Sequence, residues 1–296
     1  MPTAQNRPPH PALPAWQSLS LRDLWCWPLG VLASPFDRAI LRTAAALARR
    51  QVRAIEHWER ALPTCDPFIL VANHGCRRET VYLTAALMLA RAGRPVHFLA
   101  DWNFRLIPGI GYLYAGTDAI TVTRKDARPR CLNRLKPLFS SETPALEHAR
   151  ARLLAGGSVG LFPEGTINRD PLRLLRGRYG AARLSLETGA SVLPVGIRFI
   201  GRRDGRARSG SRLPMTIHFG TPLTPPSAGI EGAAGEASTA SVRAWHAEMM
   251  TAVASLCGKT WSAAAPPEPP AGPLGLPFST TEPRAIGPGV PHAEEG

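Results

Sequence analysis

A histidine placed five residues ahead of a glutamate is the first feature of this chain able to do chemistry. In Asn73-His74-Gly75-Cys76-Arg77-Arg78-Glu79, the imidazole, with an unperturbed pKa of about 6.5, can take a proton from a hydroxyl near neutral pH, and a carboxylate can fix its tautomer and stabilise the imidazolium. Residues five apart lie roughly 140° from each other on an ideal helix. His74 therefore belongs in a turn before a helix, with Glu79 in the first helical turn reaching back to it. Cys76 offers a rival nucleophile, but a side chain so placed is better explained as filler of the turn. A second group is Phe162-Pro163-Glu164-Gly165-Thr166, followed by Ile167-Asn168-Arg169. Its glycine lets a ligand approach the backbone, and Thr166 and Arg169 can donate to phosphate oxygens, as an anion cradle requires. Singly, each group has a structural reading, a satisfied histidine or an ordinary turn; together and in this order they point to one site.

Both groups follow short apolar runs, and the spacing of such runs predicts the scaffold. Strands are expected at Phe68 to Ala72, Val96 to Ala100, Ala119 to Thr123, Val159 to Phe162, Val192 to Ile200 and Met215 to Phe219. Helices are expected at Thr80 to Ala92, Pro144 to Ala155 and Tyr179 to Thr188. The alternation predicts an α/β fold with a central, mostly parallel sheet flanked by helices. In such sheets ligands bind beyond the carboxyl ends of the strands, where His74 falls. Lys125 to Glu142, a basic segment with Arg128, Arg130, Arg134 and Lys136, interrupts the rhythm and is expected as a surface excursion over or beside the site.

These residues resemble the glycerolipid acyltransferase family, which includes lysophosphatidate and glycerol-3-phosphate acyltransferases. The matches are Asn73-His74 with Glu79, the run Ile120-Thr121-Val122-Thr123-Arg124, Phe162 to Thr166, and Val192-Leu193-Pro194-Val195-Gly196, in the family's order over about half the chain. The resemblance implies that His74 is the general base on an acceptor hydroxyl, that Glu79 orients it, and that the oxygen attacks an acyl thioester without a covalent enzyme intermediate. It also implies acceptor binding by Asn73, Arg124, Glu164, Gly165, Thr166 and Arg169, with Pro194 completing a pocket wall. Neither a metal nor a bound cofactor is implied; acyl-CoA or acyl-carrier protein is the donor. Two departures bear on the acceptor. Glu79 stands where the family has Asp, and Ile167-Asn168 stands where Arg-Ser is usual. A lyso-lipid with an ornithine or other amine-bearing headgroup is therefore an alternative to 1-acylglycerol-3-phosphate, and a non-enzymatic basic protein that binds lipid or nucleic acid is a further alternative.

Charge points the same way. The 296 residues carry a formal net charge of +13, which favours an anionic partner, nucleic acid or membrane lipid. Arg202, Arg203, Arg206, Arg208 and Arg212 lie in no recognised nucleic-acid motif, so lipid is expected and nucleic acid is not. Five scattered cysteines without a C-x-x-C argue against a disulfide framework and a zinc ribbon. No secretory signal is visible, and the longest mainly apolar run without a charge, Leu24 to Phe36, is short of the about 20 residues that span a bilayer. Residues 1–15 are expected to be disordered. Residues 16–62 are expected as an amphipathic, membrane-associating helical segment, on the tryptophans Trp16, Trp25 and Trp27 and the helical spacing of Phe36, Ile40, Ala44, Leu47, Ile55, Trp58 and Leu62, with Arg42, Arg49, Arg50, Arg53 and Arg60 on other faces. Residues 63–261 make the acyltransferase domain, and 262–296, rich in Pro and Gly, a disordered tail. The expected place is the cytoplasmic face of the cell membrane, held peripherally.

Overall fold

The structure, a computed structural model, describes residues 14–32, 34–107, 109–123, 126–127, 130–141, 143–201, 213–226 and 238–265. The expected disordered ends, Arg124, Arg128 and the arginines at 202–212 lie outside these, apart from 14–15 and 262–265. Seven strands form one sheet among the described residues: β1 (Val52–Glu56), β2 (Phe68–Ala72), β3 (His97–Asp101), β4 (Ile120–Val122), β5 (Val159–Leu161), β6 (Ser191–Phe199) and β7 (Met215–Phe219), in the order β1-β7-β6-β2-β5-β3-β4. Strands β2 to β6 run parallel to one another. β7 is antiparallel to β6, and β1 is parallel to β7. The helices are α1 (Leu21–Cys26), α2 (Pro35–Gln51), α3 (Arg78–Ala90), α4 (Ile110–Gly116), α5 (Ala145–Leu154), α6 (Gly180–Thr188) and α7 (Thr239–Cys257).

Every residue of β2 is buried, as a strand covered on both faces by helices requires. Phe68, Leu70 and Ala72 join the core beneath α2 and α3. Ile69 and Val71 join the opposite core beneath α5, α6 and α7. β2 and β5 are neighbours in the sheet, yet β2 leads through α3 to β3 on one side and β5 leads through α6 to β6 on the other. The chain thus parts in two directions at the carboxyl ends of β2 and β5, which is where a doubly wound sheet opens a crevice.

The six expected strands and three expected helices are present with shifts of one or two residues at their ends. The N-terminal reading needs correction. The helical spacing expected to run on to Leu62 ends at Gln51, and Val52–Glu56 becomes β1, bonded along β7. The β-branched Val52 and Ile55 gain backbone partners and burial from β7 that a continued helix would not supply. Helix α7 was not foreseen, although Ser238 caps its first turn and Gly258 ends it in the left-handed region (φ 70), both readable stop and start signals.

The tryptophans expected at a lipid boundary divide between two roles. Trp16 is fully buried, donates from Nε1 to the Val52 carbonyl (3.0 Å) and packs edge-on against Trp58 (5.7 Å). Leu19, Leu24 and Leu29 are buried with it. Trp27 donates to the Leu89 carbonyl on α3 (2.9 Å), whereas Trp25 is exposed. The arginines of α2 are similarly divided. Arg49 donates to the carbonyls of Leu19 and Gln17, Arg42 to that of Trp27 and Arg38 to that of Leu32. Arg50 stays exposed, as does Arg53 of β1. Residues 16–32 are thus strapped onto the domain by burial and by guanidinium-to-carbonyl bonds. Trp16→Ala is expected to cost about 3–5 kcal/mol, seen as a lower urea midpoint by far-ultraviolet circular dichroism, while Trp25→Ala stays within about 0.5 kcal/mol.

Candidate active site

The turn between β2 and α3 is built around one carboxylate. α3 starts after Arg77 with no side-chain cap, and Glu79, in its first turn, folds back over the loop. Glu79 Oε1 accepts from the Gly75 amide (2.7 Å) and Oε2 from the Cys76 amide (3.0 Å). The same Oε1 lies 2.5 Å from His74 Nδ1, with the carboxylate wholly buried and the imidazole 14% exposed. A carboxylate that accepts two backbone N–H groups is an acceptor toward the imidazole as well. Nδ1 therefore carries the proton, and Nε2 is left as the basic nitrogen. This is the arrangement expected from the five-residue spacing: a histidine before the helix and a glutamate reaching back.

The second loop is anchored to the first. At the end of β5 the chain turns through Phe162-Pro163-Glu164-Gly165, closed by the Gly165 amide on the Phe162 carbonyl (3.0 Å), with Gly165 at φ 67. That left-handed angle is one glycine adopts without strain. Glu164 is buried and spends its carboxylate inside the protein. Oε1 accepts from the His74 amide (3.1 Å), and Oε2 from Asn168 Nδ2 (2.6 Å) and the Leu175 amide (3.0 Å). Burial pushes the Glu164 carboxyl above the usual carboxylate range, against the pull of these donors and of the Lys259 charge. The Asn168 amide closes the join on the His74 carbonyl (2.7 Å).

The aromatic setting of His74 is a feature that sequence reasoning missed. Phe162 stacks on the imidazole (4.5 Å, 29°), and Phe98 from β3 lies beyond Phe162 (5.9 Å, 25°). Gly160 on β5 makes room for this stack, since a Cβ there would fall 2.6 Å from the Phe98 ring. One face of the imidazole is thereby shielded from water. The signal available in the sequence was Phe162 itself, at the head of its box.

The expected acceptor-binding residues are dispersed by the structure. Asn73 is fully buried and spends its amide on Ile197 of β6, donating to its carbonyl (3.0 Å) and accepting from its amide (2.7 Å). It extends the β2–β6 ladder by one rung and does not face a ligand. Glu164 is likewise a brace and not a contact group. Pro194 lies within β6, and alternation places it with Val192 on the α7 side, whereas Leu193, Val195 and Ile197 join the α3-side core. It packs on Gly220, whose amide donates to the Pro194 carbonyl (2.8 Å), so it walls no pocket at His74. Gly165 and Thr166 do lie beside His74. Thr166 is half-buried, with no hydrogen bond to other described residues, and Arg169 is exposed. Arg124 lies outside the described residues, just beyond β4. Among the described residues no group of three or more His, Cys, Asp and Glu side chains is placed to hold a metal ion.

Residues 52–198, from β1 into β6, match the family described as Acyltransferase. The 1-acyl-sn-glycerol-3-phosphate acyltransferase LPAT1, chloroplastic, of Arabidopsis thaliana is 28% identical over 142 residues, covering 48% of this chain and 35% of that protein. BAT2, chloroplastic, of Brassica napus, of the same named activity, is 27% identical over 142 residues, covering 48% of this chain and 36% of that protein. The matched stretch thus spans about a third of the length of these curated relatives. The crystal structure of the 1-acyl-sn-glycerophosphate acyltransferase PlsC from Thermotoga maritima superposes with a TM-score of 0.48 at 20% identity, covering 78% of this chain and 86% of that one. Residues 52–198 of this chain are thus an acyltransferase domain, a member of the Acyltransferase family.

Proposed function

We propose that the protein moves a fatty acyl group from an acyl thioester to the free hydroxyl of a lyso-phospholipid of the 1-acylglycerol-3-phosphate type, with His74 as general base. The single observation carrying this reading is the 2.5 Å contact between His74 Nδ1 and the buried Glu79 carboxylate, at the edge of the crevice and beside the Phe162–Thr166 turn. Nε2 takes the proton of the acceptor hydroxyl as its oxygen attacks the thioester carbonyl. The tetrahedral adduct then collapses, the carbon–sulfur bond breaks, and the imidazolium returns the proton to the leaving thiolate. The donor is acyl-CoA or acyl-carrier protein, and no bound cofactor is required. The names of the plant relatives support the phosphate-bearing acceptor. Ile167, next to Thr166 where the family usually has Arg, favours the second reading, an amine-bearing lyso-lipid such as a lyso-ornithine lipid, because it puts no cation there.

Among the described residues no helix is long and apolar enough to cross a membrane. Leu21, Trp25, Val31, Phe36 and Leu47 expose large apolar side chains on α1, α2 and their connection. On the proposed reading this surface rests in the interfacial layer of the cytoplasmic leaflet, where tryptophan is favoured and each nearby Lys or Arg contributes about 1 kcal/mol on anionic lipid. The membrane partner is then lipid, and nucleic acid has no part.

A thiol nucleophile at Cys76 is disfavoured by its surroundings, since burial and the adjoining Glu79 charge push it up to about 11. At neutral pH, iodoacetamide is expected to label the exposed Cys26, Cys65 and Cys131 well before Cys76, read by peptide mass spectrometry; Cys76 labelled first would reinstate it as a nucleophile. His74→Ala is expected to lower acyl transfer about 10²–10⁴-fold with unchanged circular dichroism and vesicle binding. Glu79→Gln should cost roughly 10–100-fold, the loss of one charge-assisted hydrogen bond. The assay supplies labelled acyl thioester and a mixed lyso-lipid extract, with products identified by mass spectrometry. Near-normal turnover by His74→Ala rejects the mechanism, and a labelled amine-bearing lipid selects the second acceptor.

A further inference from the structure

We infer that the cleft between α1 and α2 is a binding site for the phosphate group of an anionic phospholipid, separate from the His74 crevice. The inference rests on the reading that this part of the chain meets a lipid surface. The cleft has a volume of about 280 Å³ and is lined by Trp27, Gly30, Arg38 and Arg42 among others, with no carboxylate in its wall. Arg38 and Arg42 stand one helical turn apart on α2, the spacing that puts two side chains on one face. The acids nearest in sequence are turned elsewhere: Asp23 accepts from the Ser20 amide (2.7 Å), and Asp37 holds the Tyr112 hydroxyl.

The two guanidiniums are positioned but not satisfied. Arg38 Nε donates to the Leu32 carbonyl (2.7 Å) and Arg42 Nη2 to the Trp27 carbonyl (3.3 Å), so both are oriented by backbone before any ligand arrives. Arg42 Nε is buried with no hydrogen-bond acceptor. A buried donor of this kind costs free energy that a phosphate oxygen would recover. Two fixed forks without a counter-charge suit a phosphate better than a carboxylate-lined pocket or a neutral ligand would. Gly30 also lines the cleft, and an added Cβ there would meet nothing within 4 Å, so a side chain can be introduced at this position without a clash.

The surroundings choose lipid over free phosphate. Trp25 lies under the Arg42 guanidinium (5.7 Å), with Leu21 one turn away on α1 and Val31 next to Gly30, each more than half exposed. A soluble anion would use none of these apolar groups, whereas a phospholipid brings its glycerol and acyl chains alongside them. The cleft is also remote from the acid–base pair. Its wall residue Trp27 is bonded to Leu89, ten residues along α3 from Glu79, which is about 15 Å.

The test is co-sedimentation of the full-length protein with phosphatidylcholine vesicles, with and without phosphatidylglycerol. The expected result is tight binding only with phosphatidylglycerol. Arg38→Gln with Arg42→Gln should weaken it at least about 30-fold, and the charge-matched pair Arg50→Gln with Arg53→Gln, exposed and outside the cleft, no more than about fivefold. Gly30→Gln fills the cleft without changing the charge and should weaken binding about tenfold with unchanged circular dichroism. Wild-type affinity in Gly30→Gln, or equal losses from the two double variants, would mean diffuse attraction and overturn the site. Calorimetric binding of inorganic phosphate as tight as that of the vesicles would overturn the lipid assignment, and so would failure to bind either vesicle. Acyl transfer to a short-chain, monomeric lyso-lipid, measured in parallel with Gly30→Gln, separates these outcomes. That activity is expected to persist in the variant, and its absence from the wild-type protein as well would indict the acyltransferase reading instead.

Discussion

The Glu79 carboxylate is the constraint on which the site depends. It accepts the Gly75 and Cys76 amides and the imidazole N–H of His74, so a single buried carboxylate both ties the loop before α3 to the helix's first turn and sets the histidine. The loop that carries His74 thus supplies its own amides to the carboxylate that holds the imidazole. The extra methylene of glutamate over aspartate is absorbed by this folding back, because Glu79 has the reach to meet two amides and a ring nitrogen at once. Moving the helix would turn the imidazole with it.

The second box serves the first mainly as architecture. Glu164 ties the His74 amide to Asn168 and Leu175, and Phe162 lies flat on the imidazole. Two loops that leave adjacent parallel strands are thereby joined into one rigid rim. On the proposed reading rigid placement matters, because a general base must hold its nitrogen within hydrogen-bond reach of the hydroxyl it serves. The groups with freedom to meet an acceptor are the ones the protein does not consume, chiefly His74 Nε2 and the Thr166 hydroxyl.

Much of this was legible in the amino-acid order, and the failures share a cause. Buried parallel strands such as FILVA announce themselves as unbroken apolar runs, and the His74–Glu79 spacing admitted one geometry. Val52 to Glu56 was misread because its periodicity fits a helix until β7, far along the chain, offers it a ladder; tertiary partners override local pattern there. Asn73 and Pro194 were assigned to substrate because a motif records which residues recur and not which way they point. Trp16 looked like an interfacial residue, but its indole N–H has a buried carbonyl to satisfy. Arg91 shows the same limit from the other side: nothing local marks it as a fully buried guanidinium clasping both oxygens of Asp66 and the Ala61 carbonyl.

The place of β1 in the sheet has a consequence for how the chain is made. Glu56 and His218 are register partners, yet 162 residues separate them. At a synthesis rate of about 5–20 residues per second, β1 waits roughly 8–30 s on the ribosome for the strand that completes it. Through that interval Val52 and Ile55 lack the strand that pairs with them, and long-range pairings of this kind are slow to close even once both halves exist. Shelter of the emerging N-terminal segment through that interval therefore bears on the yield of native chain as well as the stability of the finished molecule does.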